Sequence, residues 1–173
     1  MKLAVILGSS REGRRAAVIG DWLAGQVRPR PGIDLTVLDC VTEPEELRAA
    51  VHDADAYVIV VPEYNHSYPG PLKAFIDSFY KEWQAKPVGF VSYGGVSGGL
   101  RAVEHLRQVF AELHAVTVRD TVSFHNVWSH FDADGAFPVA PDAPAEAARI
   151  MIDQLGWWAL ALKEAKAVRP YGG

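Results

Sequence analysis

The chain has 173 residues, 49% hydrophobic and 22% charged, with 17 Lys and Arg against 21 Asp and Glu for a net charge of −4. This length predicts one domain over residues 1–173, able to bury roughly two thirds of its unfolded surface. The mild acidity and scattered arginines leave no basic footprint for nucleic acid, and no apolar run approaches the ~20 residues of a membrane span. A single Cys40 excludes an internal disulfide and reads as a small buried hydrophobe at a strand end. Met1-Lys2-Leu3 runs straight into a strand with no cleavage site behind it, so the expected location is the cytoplasm.

In chain order, residues 2–7 read as an apolar strand and 14–27 as a helix with Ala17, Val18, Trp22 and Leu23 on one side. Residues 33–38 alternate as a second strand, followed by a helical pattern over 43–52. The third strand spans 56–61, with a helix from about 72 to 84, and the fourth spans 88–91, with a helix from 99 to 113. A fifth strand lies within 116–124. A polar, aromatic connection over 126–144 then leads into a last helix near 143–167. Strands separated by helices argue an α/β three-layer sandwich around a five-stranded parallel sheet. The order 2-1-3-4-5 is expected, gathering the loops after strands one, three and four at one switch point.

The first of these loops, Gly8-Ser9-Ser10-Arg11-Glu12-Gly13-Arg14-Arg15, has what a phosphate needs. Gly8 lets the backbone turn closely, the Ser9 and Ser10 hydroxyls donate, Arg11 offers a forked charge-assisted pair, and the next helix turns its unpaired N–H groups to the same point. Ser9 and Arg15 are the companions of Arg11, with Arg14 able to exchange with Arg15. The alternative is a serine-capped helix start with solvated arginines. Neither a Gly-Lys-Ser/Thr loop nor Gly-x-Gly-x-x-Gly occurs here, which disfavours triphosphate chemistry.

The second loop, Pro62-Glu63-Tyr64-Asn65-His66-Ser67-Tyr68-Pro69-Gly70-Pro71, follows a buried strand. Pro62 removes one donor and sets the exit angle, leaving the amides of Glu63, Tyr64 and Asn65 for a flat polar ligand. Glu63 is expected to act through its main chain, and His66 is the histidine nearest the site. A plain strand-to-helix connection is the alternative. In the third loop, Ser92 to Gly99, glycines offer bare amides for close stacking against a ring edge, or else a hinge. No histidine pair has metal-ligand spacing, and no serine sits in a Gly-x-Ser-x-Gly elbow.

Leu7-Gly8-Ser9-Ser10-Arg11, then Pro62-Glu63-Tyr64-Asn65, then Ser92-Tyr93-Gly94-Gly95 with Ser97-Gly98-Gly99, resemble in this order the NADPH-dependent FMN reductase family of flavodoxin-like proteins. That family includes quinone, azo-dye and chromate reductases. The resemblance implies that the first loop holds the FMN phosphate, through Ser9, Arg11 and Arg15. It implies that the second and third hold ribityl and isoalloxazine, through Pro62, Glu63, Tyr64, Asn65, Ser92, Tyr93, Gly94 and Gly95. It further implies hydride transfer from NADPH or NADH to bound flavin, then electron delivery to a quinone, azo compound, free flavin or metal oxyanion. Flavin carries that chemistry, so no catalytic side chain or metal is expected. Two other readings are an FMN-binding electron carrier or sensor without nicotinamide activity, which the mild charge disfavours, and a scaffold for another phosphorylated metabolite.

Two helices point to self-association. Leu72, Phe75, Ile76, Phe79, Tyr80 and Trp83 form a stripe broader than one sheet requires. On the last helix Ala148, Met151, Ile152, Leu155, Trp158 and Leu162 make a core stripe, while Ile150 and Trp157 share an outer face. The expectation is a homodimer or dimer of dimers, as the family resemblance also implies. Residues 126–144 then either wall a neighbour's pocket or fold back over Trp157 within one chain.

Overall fold

A computed structural model describes residues 1–11 and 13–172. Its centre is three parallel strands, β1 (Lys2–Leu7), β3 (Ala56–Pro62) and β4 (Pro87–Tyr93), whose near-continuous burial is what strands covered on both faces require. β2 (Asp34–Asp39) pairs along β1 from Lys2 opposite Asp34 to Leu7 opposite Asp39. β3 pairs with β4 from Tyr57 opposite Val88 to Pro62 opposite Tyr93, and the sheet runs β2-β1-β3-β4-β5, the order expected.

The fifth strand position is filled by two pieces rather than one. β5 (Val116–Thr117) pairs with Pro87 and Val88, and β6 (Val122–Phe124) pairs with Val91 to Tyr93. Between them the carbonyls of Val118 and Arg119 accept from the Arg107 guanidinium at 2.8 and 3.0 Å. Those backbone groups are spent on a side chain, and the ladder is interrupted there.

Helices α1 (Ala16–Val27) and α5 (Asp142–Val168) cover one face, and α2 (Pro44–Asp53), α3 (Gly70–Asp77) and α4 (Leu100–Glu112) the other. The strand period of two divides β1 between the layers: Leu3, Val5 and Leu7 join α1 and α5, while Ala4 and Ile6 join the opposite core. α1 buries Ala16, Ile19, Leu23 and Val27, and leaves Ala17 and Val18 exposed. Its sequence is apolar around most of the cylinder, so the pattern did not single out the inward face.

α3 stops at Asp77, well before the expected residue 84, because side chains take over the hydrogen bonds that would carry it forward. The Ser78 hydroxyl donates to the Ala74 carbonyl at 2.9 Å, the Trp83 indole N–H to the Ile76 carbonyl at 3.0 Å, and the Tyr80 amide to the Glu82 carboxylate at 3.0 Å. The broad aromatic stripe is therefore core rather than partner surface. Leu72, Phe75, Ile76, Phe79 and Trp83 are buried, and of the stripe only Tyr80 is exposed. Trp83 meets Tyr57, Phe79 and Phe110 edge-on at centroid distances of 4.7, 5.9 and 5.4 Å.

On α5 the buried stripe runs Ala148, Met151, Ile152, Leu155 and Ala159, so Trp158 falls outside it. The 126–144 connection begins with a 3-10 turn, Val127–His130, and folds back on its own chain. It packs over Trp22 and Phe124, with Phe124 to Phe137 at 4.8 Å and Phe131 to Phe137 at 4.9 Å, and leaves Trp157 65% exposed. No helix among the described residues is long and apolar enough to cross a membrane. Cys40 is buried just beyond β2, and burial first, then Asp39, pushes its thiol up to about 11.

Trp83 is fully buried and also satisfies the end of α3. Trp83→Ala should lower unfolding free energy by about 3–5 kcal/mol. Urea denaturation followed by circular dichroism checks this, and a loss below about 1 kcal/mol would mean that the surrounding core collapses onto the gap.

Candidate functional site

The carboxyl ends of β1, β3 and β4 open onto a cavity of about 290 Å³ walled by the three loops. Loop one leaves β1 through Gly8, whose amide donates to the Val60 carbonyl at 2.8 Å. A Cβ at Gly8 would lie 2.9 Å from Leu72 Cδ2, so this glycine serves the close packing of the loop on its own fold. Ser9 is 2% exposed, and its hydroxyl lies 3.1 Å from that of Tyr64. Ser10 is exposed and outside the lining.

The structure separates Arg14 from Arg15. Arg14 donates to the Ser9 carbonyl at 2.6 Å and grips both oxygens of the Asp39 carboxylate at the end of β2. It braces the loop. Arg11 lies over the Tyr64 ring at 3.8 Å and Arg15 over the Phe131 ring at 5.4 Å. Both line the cavity, and neither meets a carboxylate among the described residues. α1 starts beside them at Ala16 with no side-chain cap, so the positive end of its dipole faces the same region.

Loop two corrects the expected use of its amides. The Glu63 N–H donates to the Tyr93 carbonyl at 3.0 Å, continuing the β3–β4 ladder, and the Tyr64 N–H donates to the Ser67 carbonyl at 2.9 Å. Ser67 returns a bond to Tyr64 at 3.1 Å, with Asn65 at φ 50° and His66 at φ 69° between them. That is the two-residue turn with left-handed central residues that fits a twisted ribbon. Asn65 and His66 occupy its exposed tip, outside the lining, while Pro62, Glu63 and Tyr64 line the cavity.

Glu63 acts through its carboxylate, not only its main chain. With the side chain 7% exposed, it accepts from the Ser97 hydroxyl at 2.6 Å, the Arg101 guanidinium at 2.7 Å and the Arg101 amide at 3.3 Å. Burial alone would raise its pKa; these donors outweigh burial and hold the carboxyl below the usual glutamate range. The contacts tie loop two to loop three and to the start of α4.

In loop three the glycines divide by role. Gly98 and Gly99 have φ of 61° and 85°, and a Cβ there would sit 2.4 Å from Ser123 Oγ or 2.8 Å from Ser92 Cβ, so both serve the loop's own packing. Gly94 and Gly95 line the cavity. The Gly94 amide is spent on the Phe124 carbonyl at 3.2 Å, whereas Gly95 has no backbone acceptor among the described residues. Ser92 is fully buried, donates to the Gly98 carbonyl at 2.8 Å, and stands behind the loop rather than in the cavity. Tyr93 lines the cavity at 6% exposure, and burial keeps its phenol protonated well above the ordinary range.

Sequence reasoning missed Gly13, Val127 and Trp128 as lining residues of the chain's own cavity. Trp128 is 59% exposed, with a ring carbon 3.9 Å from where a Cβ on Gly95 would stand. Its only sequence signal was a large aromatic in a polar connection. The Arg14–Asp39 brace had no signal at all, since it joins residues brought together by sheet register. Among the described residues no group of three or more His, Cys, Asp or Glu could hold a metal ion.

Chemically, the cavity brings together guanidiniums, a helix start, aromatic rings and bare backbone. Glu63 is tied, Tyr93 stays protonated, and the described lining holds no histidine. Because the folded pKa of Glu63 lies below its unfolded value of about 4.3, its ties stabilise the protein above that pH and are lost as pH falls through the folded pKa. Unfolding free energy measured between about pH 7 and pH 3 should fall more steeply in the wild type than in Glu63→Gln. Equal slopes would show that the carboxylate does not tie the loops.

Compared with known proteins, the sequence matches the NADPH-dependent FMN reductase family over residues 1–129. It is 32% identical over 158 residues to a probable NADPH:quinone oxidoreductase 2 of Oryza sativa subsp. japonica, covering 78% of this chain and 78% of that protein. It is 34% identical over 122 residues to an NAD(P)H-dependent FMN reductase of Schizosaccharomyces pombe, covering 57% of this chain. That match spans 60% of the yeast protein, less than two thirds of its length. The structure superposes on oxidised flavodoxin 1 from Bacillus cereus with a TM-score of 0.61 at 16% identity, covering 90% of this chain and 98% of that one, so the fold is flavodoxin-like.

Proposed function

The chain belongs to the NADPH-dependent FMN reductase family, and from that premise we propose that it is an FMN-dependent NAD(P)H oxidoreductase. It takes hydride from NADPH or NADH and delivers electrons to a small-molecule acceptor: a quinone, azo compound, free flavin or metal oxyanion. One observation carries the reading. A single cavity joins two guanidiniums lacking carboxylate partners among the described residues to a floor of Gly94 and Gly95 flanked by aromatic rings.

The residues fit FMN. Arg11 and Arg15, at the mouth of α1, suit a phosphate dianion, and the Arg14–Asp39 pair keeps a nearby carboxylate from repelling it. Gly94 and Gly95 bring bare backbone to the wall, where the Gly95 amide is available as a donor to a ring edge. Tyr64, beneath the Arg11 guanidinium, and Trp128 add aromatic surface to the wall, and the Tyr93 phenol, held protonated by burial, keeps a proton to donate. Asn65 and Ser92 shape the loops from outside the lining. The chemistry FMN supplies when bound is hydride acceptance from nicotinamide and electron delivery to the acceptor, so the chain contributes position and electrostatics.

Anaerobic NADPH added to the FMN-loaded protein should bleach the flavin absorbance; an unreduced flavin would overturn the nicotinamide half of the reading. Arg11→Ala should weaken FMN binding by tens of fold, since loss of a charge-assisted phosphate contact costs about 2–3 kcal/mol. Unchanged affinity in a fluorescence titration would remove Arg11 from the phosphate site.

The reading includes a cytoplasmic protein that pairs with itself through α5. Trp157 and Leu160 are 65% and 59% exposed, and the Trp157 ring lies edge-on to that of Trp158 at 5.0 Å. Sedimentation at micromolar concentration should give a dimer or a dimer of dimers that Trp157→Glu dissociates. A monomeric wild type would refute the pairing.

A further inference from the structure

At the opposite end of the sheet, where β3 and β4 begin, a second cavity of about 440 Å³ opens between the end of α2, the turn after α3, and α5. Its carboxylates are already engaged. Asp53 meets Lys2 at 3.3 Å, and Asp55 accepts from Lys163 at 3.0 Å and from the Lys2 amide at 2.8 Å. Its lining lysines, Lys81, Lys86 and Lys166, meet no carboxylate within ion-pair distance among the described residues.

Lys86 is 9% exposed, an unusual burial for a lysine. Its amine donates to the His52 carbonyl at 2.6 Å, the Tyr57 hydroxyl at 3.0 Å and the Val51 carbonyl at 3.4 Å, all neutral acceptors. Burial, then the like charge of Lys166, brings its pKa down to about 8. Burial also lowers that of Lys166. In the same wall the side-chain amide nitrogen of Gln84 is buried without a hydrogen-bond partner. Capping of the last α2 carbonyls explains why Lys86 is buried. It does not explain two further lysines without carboxylate partners, among the described residues, around the same opening. Donors and positive charge exceed acceptors and negative charge there, which is the composition of an anion site.

We propose that this cavity binds a small phosphate-bearing anion, with Lys81 and Lys166 donating to its oxygens and Lys86 as a buried counter-charge. A dianion matches the lysine excess better than a single carboxylate does. The cavity lies at the other end of the strands from the Arg11 site, so the proposal does not depend on the flavin reading.

The test titrates the protein, with and without added FMN, in phosphate-free buffer at fixed ionic strength, with inorganic phosphate and separately with phenyl phosphate, following backbone amide shifts by nuclear magnetic resonance. Saturable shifts are expected in residues 81–86 and around Lys166, with midpoints at least tenfold weaker in Lys81→Met and Lys166→Met. The tighter ligand of the two tells free phosphate from a phosphomonoester. Lys86→Met loses a buried cap and risks misfolding, so the decisive variants are the two less buried lysines. No saturable shift at millimolar ligand, midpoints unmoved in both variants, or shifts confined to the Arg11 loop would overturn the proposal.

Discussion

One carboxylate holds the cavity together. Glu63 is bound by its backbone to the end of β4 and by its side chain to Ser97 and Arg101, so the loops after β3 and β4 are tied to each other. Loop two presents Tyr64 to the cavity and loop three presents Gly94 and Gly95. Their spacing is set by a nearly buried charge whose donors outweigh its desolvation, a condition met only when every partner is in place. The parallel register beneath them, from Tyr57 opposite Val88 to Pro62 opposite Tyr93, brings the two loops out at the same height.

The first loop is held by a separate device. Arg14 joins it to the end of β2 through Asp39, and Gly8 joins it to β3 through the Val60 carbonyl. The division of labour between adjacent arginines follows: one neutralises a carboxylate at the rim, while Arg11 and Arg15 rest on aromatic faces that hold their planes without neutralising them. An arginine on a ring stays available to an anion in a way that an arginine on a carboxylate does not.

Much of this was legible in the sequence. Unbroken apolar runs gave β1, β3 and β4, and the alternation of strand and helix gave the order of the sheet. The three loops that line the cavity were the ones singled out, and Ser9, Arg11, Arg15, Pro62, Glu63, Tyr64, Tyr93, Gly94 and Gly95 all meet there. What failed to show was tertiary hydrogen bonding. The early end of α3 depends on the bond that Trp83 donates and the one that Glu82 accepts, and the gap in the fifth strand depends on Arg107. The roles of Arg14 and Arg15 were undecidable from helical phase because α1 begins at Ala16, after both. Asn65 and Ser92 belong to loops that line the cavity, but the turn exposes one and the sheet buries the other.

The interrupted edge next to β4 has a consequence for how copies of this chain can meet. An open strand edge is a template on which another chain can extend the sheet. Here the outer position holds only Val116–Thr117 and Val122–Phe124, and the carbonyls between them already accept from Arg107. A neighbour would find too short a stretch of free ladder on that side to lay down a strand. Sheet extension on that side would have to start from pieces of two and three residues.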